Sequence, residues 1–217
     1  MNIKGAIFDM DGTLLESMHI WETVGSDYLK NCGIEPAADL REQIKTLSLR
    51  DCAEYFYLQY GLDVPIEEIM SGINETIADF YAKEVWLKPG ALQLLEKLAQ
   101  RGVVMCIATA TDRELVEAAL KTTNIRHFFK EILTCTEVGA GKESPAIFEK
   151  ALTVMGVPKS ETVVFEDALH AIQTAKKAGF KVIAVGDPFS EPDREEIIQI
   201  ADYYYDTLEE MRCESIL

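Results

Sequence analysis

Positive charge is scarce in this sequence. Its 217 residues carry 21 Lys and Arg against 37 Asp and Glu, a formal net charge of −16. That balance disfavours nucleic-acid backbones and anionic membranes as partners. It leaves room for a phosphorylated metabolite, because one metal ion and one or two lysines make a locally positive pocket on an acidic protein. No apolar run approaches the length of a membrane span, and the N-terminus enters an apolar segment after a single Lys, without a signal-peptide pattern. Cysteine is sparse: Cys32, Cys52, Cys106, Cys135 and Cys213 are scattered, odd in number and free of any Cys-x-x-Cys pair. This argues against a disulfide framework or a zinc site and predicts buried or inert thiols in a reducing cytoplasm. There is no internal repeat, low-complexity tract or flexible linker. What remains is ordinary: 48% hydrophobic and 27% charged residues suit a globular chain, one large domain or a core plus a small insert. We expect a monomer.

The chain is organised around Ile3 to Thr13. The apolar run Ala6-Ile7-Phe8 breaks into Asp9-Met10-Asp11-Gly12-Thr13, the pattern of a buried strand ending in a loop. Two carboxylates held two residues apart repel one another unless a cation or a shared proton intervenes. Oxygen ligands of this kind suit Mg²⁺, which takes one or two carboxylates together with substrate phosphate. A bare Asp-x-Asp is more often a simple turn. Placed with Gly and Thr directly after the first apolar strand, it arises by chance on the order of once in several hundred chains.

After Thr13 the pattern turns helical. Trp21, Val24, Tyr28 and Leu29 follow helical spacing, and further helices fit Leu40–Thr46, Asp51–Tyr60 and Ile66–Lys83. No strand is evident between Glu16 and Glu84, which predicts an all-helical insert. From Trp86 helices and strands alternate. Strands are expected at Val103–Ala108, Ile132–Thr134, Thr162–Phe165 and Lys181–Val185, with a strand-like Tyr203-Tyr204-Tyr205 near the end. Thr111-Asp112-Arg113-Glu114 reads as a capping box, and Ser144-Pro145 as the start of another helix. The implied fold is α/β: a doubly wound, Rossmann-like parallel sheet from residues 1–15 and 86–217, with a helical cap domain at 16–85.

In such a sheet the strand ends share one edge, where ligands bind. Asp9 and Asp11 end the first strand and Thr109 follows the second. Lys142 lies beyond the loop after Thr134, and Glu166-Asp167 end the next strand. Taken singly, Thr109 is a capping hydroxyl, Lys142 a solvated lysine, and Glu166-Asp167 an acidic start to a helix. Their order at successive strand ends predicts a common site.

These motifs, Asp9-Met10-Asp11-Gly12-Thr13, Ala108-Thr109, Lys142 and Phe165-Glu166-Asp167, resemble the four ordered motifs of the haloacid dehalogenase superfamily. The helical insert and Lys88-Pro89-Gly90 resemble its β-phosphoglucomutase-like phosphatase group. The resemblance covers essentially the whole chain. It implies that Asp9 attacks phosphorus and Asp11 moves the proton. It further implies that Thr109 binds a phosphoryl oxygen and Lys142 offsets charge. Asp9, the backbone carbonyl of Asp11 and Asp167 would hold Mg²⁺, with Glu166 in support. Three positions depart from the group's usual pattern: Glu143 beside the lysine, Ala171 where Gly is common, and Glu16 where Asp is common.

The resemblance implies a Mg²⁺-dependent phosphatase for a small phosphorylated metabolite such as a sugar phosphate. Its cap would close to exclude water and select the leaving group. Arg50, His19 and Arg113 are candidates to contact substrate, while His127 and His170 are expected in structural or surface roles. The alternative is a phosphosugar mutase of the β-phosphoglucomutase type. Such an enzyme needs an anchor for a second phosphate, and Trp21 and Leu49 stand where its His and Arg belong, with His19 and Arg50 offset. A non-catalytic binding protein on the same fold is a third reading, which the intact Asp9, Asp11, Lys142 and Asp167 oppose. Dehalogenases lack the second Asp, and no clear match to the phosphonatase cap lysine is present.

Overall fold

The computed structural model describes residues 3–44, 47 and 49–211. Cys213 and the end of the helix expected over Leu40–Thr46 fall outside them. Ser17–Glu84 forms one compact unit, and the residues on either side of it form the other.

The α/β unit begins with β1 (Gly5–Phe8) and β2 (Leu15–Glu16), and it resumes after the helical unit with β3 (Trp86–Leu87). Every residue of β1 is buried, as expected of a central parallel strand with both faces covered. Gly5 lets β1 lie tight against its neighbour, since a Cβ there would meet Thr162 Oγ1 at 2.8 Å. Phe8 stacks on Phe165 at 4.3 Å between ring centroids.

The helical unit holds α1 (Ile20–Asn31), α2 (Leu40–Ile44), α3 (Leu49–Tyr60) and α4 (Ile66–Lys83). Tyr28 and Leu29 sit on the buried face of α1 as their spacing predicts, but Trp21 is exposed, and Ile20 and Gly25 take the inward positions. Gly25 is small enough for Phe56 and Ile44 to approach the helix there.

After β3 the chain runs through α5 (Ala91–Gln100), β4 (Val104–Thr109), α6 (Arg113–Thr122), β5 (Phe129–Thr134) and α7 (Cys135–Val138). It continues with α8 (Ala146–Met155), β6 (Thr162–Glu166), α9 (Leu169–Lys177), β7 (Lys181–Val185), α10 (Arg194–Ile200) and β8 (Tyr203–Tyr205). Six strands form one sheet in the order β5-β4-β1-β6-β7-β8, and every pairing is parallel. The strand order reverses at β1, so β1 has β4 on one side and β6 on the other. That is the switch point at which open α/β sheets bind ligands.

Two features of this unit were not apparent from the pattern. β2 and β3 pair antiparallel, Leu15 with Leu87 and Glu16 with Trp86, so a short ribbon links the segments leading into and out of the helical unit. β5 starts three residues earlier than expected; the exposed Lys130 and half-buried Glu131 interrupt the apolar run that would have marked its start. Among the described residues, no helix is long and apolar enough to cross a membrane.

Candidate active site

The end of β1 is built as a tight turn. Leu14 and Leu15 both donate their backbone N–H to the Met10 carbonyl at 2.9 Å, and Gly12 N–H donates to the Leu15 carbonyl at 3.1 Å. Gly12 has φ of +79°, and a Cβ there would meet Asp167 Oδ2 at 2.5 Å. Glycine is therefore required both by the left-handed backbone and by the approach of an acidic side chain. Asp9 N–H donates to the Phe165 carbonyl at 2.9 Å, locking the first residue of the turn to β6.

Three buried carboxylates converge here. One oxygen from each of Asp9, Glu166 and Asp167 lies within 4.8 Å of the others. The buried ammonium of Lys142 is hydrogen-bonded to Asp9 Oδ1, and to Glu166 Oε1 at 2.5 Å. Glu166 Oε2 accepts from the backbone N–H of Asp167 at 2.8 Å and of Ala168 at 3.1 Å. Asp167 accepts from Thr13 Oγ1 at 2.8 Å and from Ser190 Oγ at 3.3 Å.

One ammonium cannot balance three carboxylates. Burial pushes the Asp9 carboxyl up to about 8, with Lys142 pulling against it and Glu166 and Asp11 adding to the rise. Burial, then Glu166 and Asp9, hold the Asp167 carboxyl well above the usual range. Burial opposes the charge on Lys142, yet Asp9 and Glu166 overcome it and raise its pKa. A buried, oxygen-only cluster short of positive charge fits a hard divalent cation such as Mg²⁺.

The structure thus brings Asp9, Thr109, Lys142, Glu166 and Asp167 to one edge of the sheet, with Asp11 in the same turn. The Asp11 carboxylate accepts a hydrogen bond from Thr111 Oγ1 at 2.7 Å. Thr109 is buried at the end of β4, and its Oγ1 accepts from Thr111 N–H at 3.1 Å. Glu143, beside Lys142 in sequence, is solvent-exposed while the lysine is buried.

The other candidates have different surroundings. Arg113 clamps Glu137 through Nε and Nη2, the latter at 2.7 Å, and Nη2 also donates to the Ile132 carbonyl at 2.7 Å. Arg50 and His19 belong to the helical unit, where Arg50 pairs with Glu67 at 3.1 Å and His19 packs edge-on against Phe80. His127 and His170 are exposed.

Three contacts escaped the sequence reading. Thr111 is not a helix cap: Asp112 occupies the N-cap position of α6, and no side chain caps it. Thr13 and Ser190, whose contacts no sequence pattern predicts, both donate to Asp167. A usable signal for Thr111 existed, since Thr109-x-Thr111 repeats the spacing of Asp9-x-Asp11 at the end of the adjacent parallel strand.

The haloacid dehalogenase-like hydrolase family model matches residues 6–185. The chain belongs to that family. It is 31% identical over 194 residues to the "Probable pseudouridine-5'-phosphatase" of Drosophila melanogaster, across 86% of this chain and 83% of that protein. It is 22% identical over 218 residues to hexitol phosphatase B of Escherichia coli K12, across 99% of this chain and 97% of that one. The crystal structure of CbbY from Rhodobacter sphaeroides in complex with phosphate superimposes with a TM-score of 0.74 at 26% identity, covering 95% of each chain.

Proposed function

We propose that this member of the family is a Mg²⁺-dependent phosphoric monoester hydrolase for a small phosphorylated metabolite, a sugar phosphate, and that it works through an aspartyl-phosphate on Asp9. One observation carries the reading: a buried carboxylate, Asp9, is paired with Lys142 and crowded by Glu166 and Asp167 at the switch point of the sheet. The names of the pseudouridine and hexitol phosphatases support the substrate class.

Asp9 attacks phosphorus through a carboxylate oxygen, forming an acyl phosphate as the bond to the leaving oxygen breaks. Asp11 gives that oxygen its proton. Asp11 then takes a proton from water, whose oxygen attacks the same phosphorus, releasing inorganic phosphate and restoring Asp9. Lys142 stays protonated throughout and offsets charge on Asp9 and on the phosphoryl group, while the Thr109 hydroxyl donates to a phosphoryl oxygen. Mg²⁺ held by Asp9, Asp167 and the Asp11 carbonyl would supply positive charge to the phosphoryl oxygens and keep Asp9 ionised. Glu166 acts mainly by holding Lys142 and the backbone N–H groups at the start of α9. The four described cysteines are free thiols, which suits a cytoplasmic enzyme.

The test is a panel of nucleoside, hexitol and sugar phosphates with Mg²⁺, measuring both free phosphate and isomerised sugar phosphate. Phosphate release lost in Asp9→Asn supports the hydrolase. Isomer with little free phosphate contradicts it and points to a mutase.

A further inference from the structure

Thr111 belongs to no step described so far. It is buried two residues beyond Thr109, and its hydroxyl donates to Asp11 Oδ2 at 2.7 Å across 100 residues of sequence. Its own backbone N–H donates to Thr109 Oγ1 at 3.1 Å. The two contacts form a continuous run from the strand-end hydroxyl of Thr109, through the Thr111 backbone and side chain, to the Asp11 carboxylate. The hydroxyl makes no capping bond to α6, and the neighbouring Asp112 carboxylate instead accepts from Thr136 Oγ1 at 2.7 Å. A β-branched side chain tied down at its own N–H has few rotamers left to it.

We propose that Thr111 is a positioning residue for the proton transfer made by Asp11. Its hydrogen bond fixes the rotamer of the carboxyl group. It also strengthens as Asp11 loses its proton, since a hydroxyl donates more strongly to a carboxylate than to a carboxylic acid. The proton leaves Asp11 for the departing oxygen as the phosphorus–oxygen bond breaks, and the carboxylate so formed accepts from Thr111. The interaction therefore favours the transition state over the ground state. Thr109 joins the same run, so the residue proposed to hold a phosphoryl oxygen is mechanically linked to the one that moves the proton. This inference rests on the reading of Asp11 as the proton donor.

The test compares kcat/KM, which reports steps through departure of the leaving group, for ribose 5-phosphate and for 4-nitrophenyl phosphate. The sugar alkoxide needs a proton to leave, whereas 4-nitrophenolate leaves without one. Thr111→Val keeps the shape of the side chain and the N–H bond to Thr109. It is expected to lower kcat/KM for ribose 5-phosphate about tenfold and for 4-nitrophenyl phosphate less than about twofold. Thr111→Ser restores most of the loss, and Asp11→Asn shows the same split more strongly. Equal losses on both substrates in Thr111→Val, or no loss on either, overturn the proposal while a split in Asp11→Asn leaves the account of Asp11 standing. An Asp11→Asn variant without the split overturns the account of Asp11 and this inference with it. Should Thr111→Val fail to fold, Thr111→Ala carries the same comparison.

Discussion

Asp9 has a folded pKa near 8, against 3.8 for an unperturbed group, so the metal-free folded protein holds a proton that the unfolded chain releases. The stability contribution of this group is complete below about pH 4 and is lost as pH rises toward 8. In EDTA, the melting temperature of the wild type relative to Asp9→Asn should therefore fall between pH 5 and pH 8. A flat difference would mean that Lys142 neutralises the cluster by itself. At Gly12 the turn tolerates no side chain. Gly12→Ala is expected to cost about 1–2 kcal/mol from the left-handed backbone alone, and to weaken Mg²⁺ binding by displacing Asp167; thermal melts with and without the ion would check both. Most of this candidate site was legible in the sequence, because Asp9, Asp11 and Asp167 stand at strand ends and Lys142 in the loop region that follows β5, where topology brings distant residues together. Thr111 departs from the capping-box expectation for a definite reason. A threonine three residues before Glu114 satisfies the capping-box pattern, and sequence alone does not say which of two acceptors a hydroxyl chooses.

At the level of elements, β2 and β3 are two residues each, too short to show a period of two, and so the ribbon they form left no signal. Just after β3, Lys88 is buried: its Nζ donates to Asp187 Oδ2 at 2.7 Å and to the Gly186 carbonyl at 2.9 Å, and its N–H donates to the Leu14 carbonyl at 2.8 Å. The other Asp187 oxygen accepts from Phe189 N–H at 2.9 Å. This pair ties the ribbon to the loop after β7, which also supplies Ser190 to Asp167. Removing one partner leaves a buried charge without its mate. Lys88→Met should cost about 3–5 kcal/mol, whereas replacing both residues by apolar ones should cost much less. Denaturant melts of the single and double variants decide whether the pair anchors the ribbon or is incidental to it. The longer helices and strands were legible because each buries a regular face. Tyr28 and Leu29 on α1 obey their spacing, while the exposed Trp21 shows that an aromatic at the right interval need not face inward.

For the whole molecule, the acidic composition and the acidic cluster make the same demand. A chain with a net charge of −16 places three buried carboxylates beside one ammonium, so a cation that binds only the folded state should stabilise it. Mg²⁺ at a hundredfold excess over its Kd should add about 2.7 kcal/mol, roughly 5–10 °C in Tm for a chain of this size. Asp167→Asn should abolish most of that shift and raise the stability of the metal-free protein. A Tm indifferent to Mg²⁺ in the wild type would count against a resident ion.

The central claim is that Asp9 becomes covalently phosphorylated. Asp11→Asn with 4-nitrophenyl phosphate and Mg²⁺ should let the first step proceed, because the phenolate leaves without a proton, and should stall the hydrolysis that needs a base. Acid quenching, borohydride reduction and peptide mass mapping should then find homoserine at position 9, the reduction product of an aspartyl-phosphate. An unmodified Asp9 in samples that still release phosphate, or homoserine at a different aspartate, would contradict the account.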